Sequence, residues 1–296
     1  MSTDSVSPIE DTELIVTERG TIYHLDLAPG QLAPTVITVG SPGRVPEVSK
    51  HFDTIIHKAQ HREFITHTGR IGDKLLSVIS TGIGSGNIDI VFNEMDALVN
   101  IDFDTRTIKE KKTSLSVVRL GTCGTLQQDI AVDSMIVSSF GLGLDNLLLY
   151  YQSVSDLTER HILNEFLRHS GVRSVNASPY VYAASPSLLA RFSTGFIKGI
   201  TATCPGFYAP QGRVLRLTPA FPDMLDHLAA FRCDGDRIVN FEMETAAIYG
   251  MGRLLGHNCL SVSAALANRA TKSFSKNPEL AIETMITQCL EIVAGT

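Results

Sequence analysis

Three glycine-containing turns follow strand-like apolar runs, and two of them carry arginine. They are GSPGR at 40–44, STGIGSGN at 80–87 and RLGTCGT at 119–125. Glycine lets a backbone come close to a ligand, while guanidinium and hydroxyl groups donate hydrogen bonds to phosphate oxygens. Arg44, Arg119 and Thr122 therefore favour an anion site, although each glycine turn taken alone is equally well explained as a tight turn.

The familiar nucleotide and hydrolase motifs are not found in these turns. In GIGSGN, Asn87 stands where a dinucleotide-binding fingerprint requires its third glycine, and the sequence has no phosphate-binding G-x-x-x-x-G-K-[ST] loop. It also has no G-x-S-x-G nucleophile turn, so serine hydrolase chemistry has no support.

A second segment, FYAPQGR at 207–213, combines an aromatic ring, an amide and a guanidinium within seven residues. Phe207 can stack on a planar ring, and Gln211 and Arg213 can pair with ring carbonyls and an imide N–H. The alternative is a polar surface loop, and composition alone does not choose between the two.

Two carboxylates lie two residues apart in NFEMETAA at 240–247. If this segment is extended, Glu242 and Glu244 can both face one ligand, and carboxylates are natural acceptors for sugar hydroxyls. The alternative is a helix start at which acidic residues are favoured by the helix dipole.

Three histidines lie near one another in the sequence, at His57, His61 and His67. The first two have the i, i+4 spacing of a metal-binding pair, but no pattern supplies further ligands. We therefore expect no metal site.

Strand-like and helix-like segments alternate along the chain, as in proteins whose helices pack on a central sheet. The predicted strands are 35–39, 74–80, 114–121, 134–140, 199–204 and 259–266. Helices are predicted from Asn87, whose side chain would cap the first turn, from near Glu244, and after Pro278. We expect a single α/β domain with its ligand site at the carboxyl ends of the strands.

The composition bounds the class of protein. The 296 residues are 44% apolar and 19% charged, which is enough apolar material for a large core, and the net charge of −6 argues against nucleic-acid binding. Five dispersed cysteines, the absence of a signal pattern and the absence of a long apolar run predict a cytoplasmic protein without a membrane span. We expect residues 1–20 to be a loosely held extension and residues 21–296 to form the domain.

Taken together and in order, the motifs resemble the nucleoside phosphorylase family over roughly residues 21–292. They are YHLDL, TVGSPGRV, HREF, STGIG, RLGTCG, FYAPQGR, FEMETAA and ANR. Most belong to the wider superfamily, but F-Y-x-x-Q-x-R is the uracil-reading loop of its uridine-specific members. Purine-specific relatives carry a Ser-Asp pair where this sequence has Asn268 and Arg269.

The resemblance implies a mixed central sheet flanked by helices and the phosphorolysis of uridine to uracil and ribose 1-phosphate, with phosphate as co-substrate and no cofactor. It implies that phosphate is bound by Gly40, Arg44, Arg119 and Thr122, with Arg62 contributed by a neighbouring subunit. Ribose is assigned to Glu242, Met243 and Glu244, with a neighbour's His24 at the 5′ end, and uracil to Phe207, Gln211, Arg213 and Arg269. A homo-oligomer with shared sites follows, at least a dimer and compatible with a hexamer.

The sequence departs from the family pattern at two places. Ser41 stands where many bacterial members have Asp, and Ala209-Pro210 precedes Gln211 where a glycine is usual. The role of the Ser41 side chain and the closure of the 207–213 loop are therefore open at this stage.

The residue types fit this chemistry without the resemblance. Cleavage of an N-glycosidic bond needs a positioned anionic nucleophile and stabilisation of the charge that departs with the base. Arginines can hold phosphate, and a guanidinium with an amide can stabilise a pyrimidine anion. The alternatives are a phosphorylase of purine or other nucleosides, a nucleosidase that uses water, and a non-catalytic nucleoside-binding protein of the same fold.

Overall fold

The computed structural model describes residues 7–169 and 178–295. Its strands are β1 (Thr35–Val39), β2 (Thr54–His61), β3 (Phe64–Ile71), β4 (Lys74–Ser80), β5 (Ile101–Asp102), β6 (Thr107–Ile108), β7 (Ser116–Thr125), β8 (Met135–Gly143), β9 (Tyr180–Ala183), β10 (Ile197–Thr203), β11 (Arg232–Cys233), β12 (Asp236–Glu242), β13 (Asn258–Asn268) and β14 (Ser273–Phe274). Its helices are α1 (Arg44–Ser49), α2 (Ser85–Asn100), α3 (Leu157–His169), α4 (Pro186–Arg191), α5 (Met224–Ala230), α6 (Thr245–Leu255) and α7 (Pro278–Ala294).

The chain folds as two compact units. Of the described residues, unit 1 comprises those up to Gly82 together with Ile90–Ser116, and unit 2 comprises Ile83–Asp89 and those from Val117 onwards.

Unit 1 is built on a mixed sheet of four strands in the order β1, β4, β3, β2. The β1 sequence TVITV is buried at every position, as expected for a β-branched run, and it pairs in parallel with β4 from Thr35↔Leu76 to Val39↔Ser80. Strands β4, β3 and β2 are antiparallel neighbours. The carboxyl ends of β1 and β4 thus lie side by side, and both of their glycine turns leave from there.

The start of unit 1 is held by one arginine. Arg106 donates hydrogen bonds to the carbonyl oxygens of Ile9 (2.7 Å), Glu10 (2.9 Å) and Leu14 (2.7 Å). Leu14 is buried, and Val16 bridges to Ile22. The described part of the predicted loose extension is therefore attached at these points, and the domain boundary at residue 20 stays a prediction.

Unit 2 contains strands in the order β11, β12, β10, β8, β13, β7. The β12–β10 and β10–β8 pairs are parallel, whereas β13 is antiparallel to β8. A further antiparallel pairing joins β12 to β7, at Asn240↔Thr125 and Phe241↔Gly124. This pairing closes β12, β10, β8, β13 and β7 into a ring, so that Glu242 at the end of β12 lies beside the chain that carries Arg119.

The predicted elements are largely present. Strands β1 and β4 coincide with predicted strands, and α7 follows Pro278 with Met285, Ile286 and Cys289 buried along its apolar stripe. The predicted start of α2 is wrong: the helix begins at Ser85, so Asn87 lies inside it and is not its cap. Gly84, with φ of 93°, makes the turn before the helix, a conformation that glycine adopts without steric cost.

All five cysteines are free and buried. Among the described residues, no helix has the length and apolar character needed to cross a membrane.

Candidate active site

His24 lies in unit 1 and is held by a glutamate that is distant in the sequence. The Glu94 carboxylate on α2 accepts hydrogen bonds from the backbone N–H groups of His24 (3.0 Å) and Leu25 (2.8 Å), and it lies 2.6 Å from His24 Nδ1. Because a carboxylate only accepts, the Nδ1 proton points at Glu94. Nε2 is therefore the ring atom left to face a ligand.

Arg62 forms the exposed tip of the β2–β3 hairpin, near His24. Its neighbour His61 contacts Tyr23 twice, with Nδ1 3.1 Å from the Tyr23 carbonyl oxygen and ring centroids 5.9 Å apart. Arg62 has φ of 54°, a left-handed conformation that is costly for a residue with a side chain. Unit 1 therefore brings together the two residues that the resemblance assigns to a neighbouring subunit.

The turn that carries Gly40 and Arg44 connects β1 to α1. A Cβ atom at Gly40 would lie 3.5 Å from the Gly82 carbonyl oxygen, so the two glycine turns of unit 1 run against each other. Arg44 is the first residue of α1 and is half-buried, and its N–H donates to the Ser41 carbonyl oxygen (3.0 Å). Ser41 itself is exposed, and nothing in unit 1 assigns a role to its side chain.

Arg119 lies on β7 in unit 2 and is only 5% exposed. Its Nη2 lies 2.5 Å from Glu244 and 3.1 Å from Glu242, and its Nη1 donates to Ser263 Oγ at 3.3 Å. A Cβ atom at Gly121 would lie 1.8 Å from Nη1, so the guanidinium lies directly over the backbone at that position. Thr122 follows and is half-buried. The glycine at position 121 therefore leaves the space in which the Arg119 side chain folds back over its own strand.

The Glu242 carboxylate is anchored by its own chain. Its oxygens accept hydrogen bonds from Thr203 Oγ1 (2.8 Å) and from the backbone N–H groups of Glu244 (2.9 Å) and Thr245 (3.0 and 3.1 Å). These bonds satisfy backbone donors at the start of α6. Together with Arg119 they occupy most of its acceptor capacity, so Glu242 acts mainly as a support.

The Glu244 carboxylate has more acceptor capacity left. Oε2 accepts from Arg119, and Oε1 accepts from the Gly84 N–H at 2.7 Å, which leaves further lone pairs for a ligand. The helix-start interpretation of this segment is confirmed, because Glu244 directly precedes α6. That the two carboxylates face one ligand stays a prediction. Met243, between the two carboxylates, is half-buried.

These three charges perturb one another. Burial raises the pKa of Glu242; Arg119 opposes that effect and Glu244 adds to it. Burial alone would lower the pKa of Arg119, but Glu242 and Glu244 outweigh it and raise that pKa. The cluster therefore keeps one guanidinium and two carboxylates in a desolvated place, where an anion and a polyol can both find partners.

The predicted base-reading residues converge in unit 2. Gln211 is 3% exposed, and its side-chain amide accepts from Arg213 Nη1 (2.5 Å) and donates to the Glu242 carbonyl oxygen (3.4 Å). Arg269 donates to the backbone carbonyls of Gln211 (3.0 Å) and Gly212 (3.2 Å). The loop is thereby tied to the strand that carries the carboxylates.

Arg213 also covers the aromatic ring of the loop. Its guanidinium lies 3.6 Å from the Phe207 ring centroid and donates to the Phe207 carbonyl oxygen at 2.7 Å. Burial, followed by the like charge of Arg269, lowers the pKa of Arg213. Phe207 is half exposed, so the loop presents a ring, an amide and two guanidinium groups.

Ala209 and Pro210 open a short 3-10 turn that ends at Gln211. Gly212 follows with φ of 63°, and a Cβ atom there would lie 2.6 Å from Leu225. The turn sets the direction of Gln211.

The Asn268 side chain forms hydrogen bonds within the fold. Its amide donates to the carbonyl oxygens of Gln127 (2.9 Å) and Ile130 (2.7 Å), and its Oδ1 accepts from the Thr271 N–H (2.9 Å). At this position the chain therefore presents Arg269 to the loop, with no carboxylic acid.

His57, His61 and His67, whose spacing in the sequence raised the question of a metal site, have different surroundings in the structure. His67 Nδ1 lies 2.7 Å from Ser49 Oγ, and His61 contacts Tyr23. Burial, followed by Lys58, lowers the pKa of His67. Within the described ranges they do not assemble as a group of metal ligands.

Several supporting residues could not be predicted. Glu94, Thr203 and Ser263 contact site residues over sequence separations of 70, 39 and 144 positions. No local spacing in the sequence signals such contacts. Only Thr203 gives a hint, because a hydroxyl group in a buried strand needs a polar partner.

Comparison with known proteins gives consistent relatives. The model of the phosphorylase superfamily matches residues 34–294. The uridine phosphorylase of Thermococcus kodakarensis is 30% identical over 278 residues, which cover 94% of this chain and 88% of that enzyme. The uridine phosphorylase of Escherichia coli is 26% identical over 265 residues, which cover 85% of this chain and 87% of that enzyme.

A solved structure agrees with these relatives. The Trypanosoma brucei nucleoside phosphorylase, described as showing uridine phosphorylase activity, superposes with a TM-score of 0.86 at 28% identity and covers 96% of this chain and all of that one. This likeness confirms the predicted α/β fold with a mixed sheet flanked by helices. Because the family model matches most of the length of this chain, the chain belongs to the phosphorylase superfamily.

Proposed function

We propose that the protein is a uridine phosphorylase, which converts uridine and phosphate reversibly to uracil and ribose 1-phosphate. The observation that carries this proposal is the cluster of Phe207, Gln211, Arg213 and Arg269, joined to the Glu242 backbone through Gln211. This set of groups suits the edge of uracil, which offers two carbonyl oxygens and an imide N–H.

The anion and the sugar have separate partners in the proposal. Phosphate is bound by Arg119 and Thr122 together with Gly40, Arg44 and Arg62, an assignment that rests on the sequence resemblance. The ribose hydroxyls donate to Glu244, which has acceptor capacity left, while Glu242 and Met243 hold the segment in place. His24 Nε2 faces the 5′ end of the sugar.

In the reaction, a phosphate oxygen attacks C1′ as the bond from C1′ to the base nitrogen breaks. The electron pair of that bond leaves with uracil, whose negative charge spreads over its ring oxygens. We assign the stabilisation of this charge to Arg213 and Arg269, whose contacts in the described loop are to carbonyl oxygens and an amide and include no carboxylate. No general acid is required, and no metal or other cofactor takes part.

The test is the loss of uridine absorbance by the purified protein with and without inorganic phosphate. Turnover is expected only with phosphate, and it should persist in the presence of a chelator. Turnover in phosphate-free buffer would indicate a nucleosidase, and inosine cleaved better than uridine would indicate a purine phosphorylase. No turnover of any nucleoside, with binding retained, would indicate a non-catalytic binding protein.

The functional unit in this proposal is a homo-oligomer, at least a dimer, in which His24 and Arg62 complete the site of a neighbouring subunit. The proximity of their two segments within unit 1 supports this, because one interface can then deliver both residues. We further propose that the enzyme works in the reducing cytoplasm, which suits its five free thiols.

A further inference from the structure

A histidine, a cysteine and an aspartate meet on unit 2, at a place that the proposed reaction does not use. His161 lies on α3, while Cys233 and Asp234 lie at the end of β11 and in the turn before β12. Their potential ligand atoms, the imidazole nitrogen, the sulfur and a carboxylate oxygen, all lie within 4.8 Å of one another. His161 Nε2 and Asp234 Oδ2 are already 3.0 Å apart.

These spacings are near those of a bound zinc ion. With Zn–N and Zn–O distances of about 2.0 Å and Zn–S of about 2.3 Å, tetrahedral ligands lie roughly 3.3–3.7 Å apart. The side chains of His161 and Asp234 are 48% and 81% exposed, so both can make the small rotations required. Cys233 is only 6% exposed, which supplies a fixed ligand at the floor of the site.

The backbone around the cluster is held in place from both sides. Asp234 and Gly235 both have positive φ, of 47° and 87°, as in the two-residue turns that favour tight hairpins. Cys233 pairs with Asp236 across that turn. On the other side, Phe166 of α3 packs edge-on against Phe231, with ring centroids 5.4 Å apart.

The charge around the cluster favours a cation. Besides the Asp234 carboxylate, those of Glu165 and Asp236 lie close enough to the Cys233 sulfur to interact with it electrostatically. Among the nearby positive groups, Arg168 pairs with Glu165, Lys198 acts on Asp236, and Arg232 donates to the carbonyl oxygens of Ala229 and Phe231 and to Gln127. Three carboxylates thus lie around one sulfur and one imidazole.

We propose that His161, Cys233 and Asp234 bind a zinc ion that links α3 to the β11–β12 hairpin, with water in the fourth position. On binding, the thiol releases its proton to solvent and the imidazole binds as the neutral base. A sulfur, nitrogen and oxygen ligand set selects zinc over magnesium, which prefers oxygen ligands alone. Because β12 separates the hairpin turn from Glu242 by six residue steps, about 20 Å, the ion is structural and takes no part in the reaction.

The test uses the full-length protein, freed of metal by a chelator and then titrated with Co²⁺ and Zn²⁺. Co²⁺ should bind one per chain with a thiolate-to-cobalt charge-transfer band, Zn²⁺ should displace it, and Zn²⁺ but not Mg²⁺ should raise the Tm. Cys233→Ser should abolish the band, and His161→Ala should weaken binding at least about tenfold. Asp234→Asn, which tolerates the left-handed backbone, should also weaken it.

His227→Ala is the matched control, because it removes another exposed histidine of unit 2 and should leave Co²⁺ binding unchanged. His161→Ala lies at an exposed position, so it decides the question if Cys233→Ser does not fold. Absence of the band from the wild-type protein, or its retention in Cys233→Ser, would overturn the proposal. Equal Zn²⁺ affinity of His161→Ala and the wild-type protein would also overturn it and leave an ordinary surface ion pair.

Discussion

The position of the Arg119 side chain depends on Gly121, two residues further along the same strand, because glycine has no side chain. The guanidinium lies over Gly121, where any Cβ atom would come within 1.8 Å of Nη1. The strand thus places a buried charge by leaving space for it, and the two carboxylates of Glu242 and Glu244 then fix its direction.

Gly121→Ala should therefore displace Arg119 with a change of a single methyl group. The KM for phosphate is expected to rise about tenfold or more, since a hydrogen bond to a charged group contributes about 1.5–3 kcal/mol. The Tm should fall as well, because the buried carboxylates lose part of their pairing. Initial-rate kinetics over a range of phosphate concentrations measure this KM independently of the amount of folded protein.

Gly86→Ala provides the control for that variant. Gly86 lies in α2 with nothing within 4 Å of the added methyl group, so phosphate saturation should be unchanged. An unaltered phosphate KM in Gly121→Ala would show that Arg119 is not a phosphate ligand.

Arg213 offers a test of base recognition. Truncation in Arg213→Ala removes the hydrogen-bond partner of Gln211 and the group stacked on Phe207. We expect transition-state stabilisation, measured from kcat/KM for uridine, to fall by roughly 2–5 kcal/mol. This is the range for truncating one partner of a desolvated charged contact. Uridine turnover at the wild-type rate together with efficient inosine cleavage would contradict the assignment of this loop.

Single residues of the site were predictable where their type was unusual for a turn. Gln211, Arg213 and Phe207 stood out because an amide, a guanidinium and a ring in one short loop suit a planar polar ligand. The clamp of Glu94 on His24 was not predictable, because a half-buried glutamate on a helix looks like an ordinary surface residue. Only the folded chain brings it to the histidine.

At the scale of the element, the β2–β3 hairpin holds Arg62 in a left-handed conformation. This conformation costs an ordinary residue about 1–2 kcal/mol, and its retention at the tip of an exposed turn fits a functional side chain. If Arg62 binds phosphate as proposed, the hairpin accepts this cost in stability in order to position one guanidinium.

Arg62→Gly separates these two effects. Glycine relieves the left-handed backbone but adds flexibility to the unfolded chain, so the free energy of unfolding should change by no more than about 1 kcal/mol. The KM for phosphate should rise nonetheless, because the guanidinium is lost. Denaturant unfolding and initial-rate kinetics measure the two quantities.

Arg70→Ala removes an exposed arginine from the same hairpin and should change neither quantity appreciably. If Arg62→Gly kept the wild-type phosphate KM, the turn would be strained for a reason unrelated to phosphate.

Elements were predictable from sequence where burial is continuous. Strands β1 and β4 are mostly buried and are rich in Val, Ile and Leu. Strand β2 was missed because it is a sheet-edge strand of mixed, largely exposed residues, and β12 was missed because its buried run begins at charged residues and includes Asn240. Asn240 is accommodated there by a hydrogen bond from Thr201, a partner from another strand.

At the scale of the whole molecule, the shared-site proposal has a test by complementation. Arg62→Ala and Arg119→Ala chains, each expected to be inactive alone, are dissociated, mixed and reassociated. In a two-fold dimer both lesions fall in one site and the other site is intact, so about half of the sites in mixed dimers should recover activity.

Mixed dimers must be shown to form, for example with two differently tagged chains. Recovery of activity supports donation of Arg62 across the interface. Its absence from verified mixed dimers would mean that Arg62 serves its own chain.

The pairing of Arg119 with Glu244 also has a thermodynamic consequence for how the two substrates bind. In the proposed site, phosphate would compete with Glu244 for the guanidinium, and the buried carboxylate that gives up this partner would need another donor, which ribose hydroxyls would supply. Each ligand thus relieves the cost of binding the other. Because such linkage is reciprocal, we expect phosphate to raise the affinity for the nucleoside by the same factor by which the nucleoside raises the affinity for phosphate.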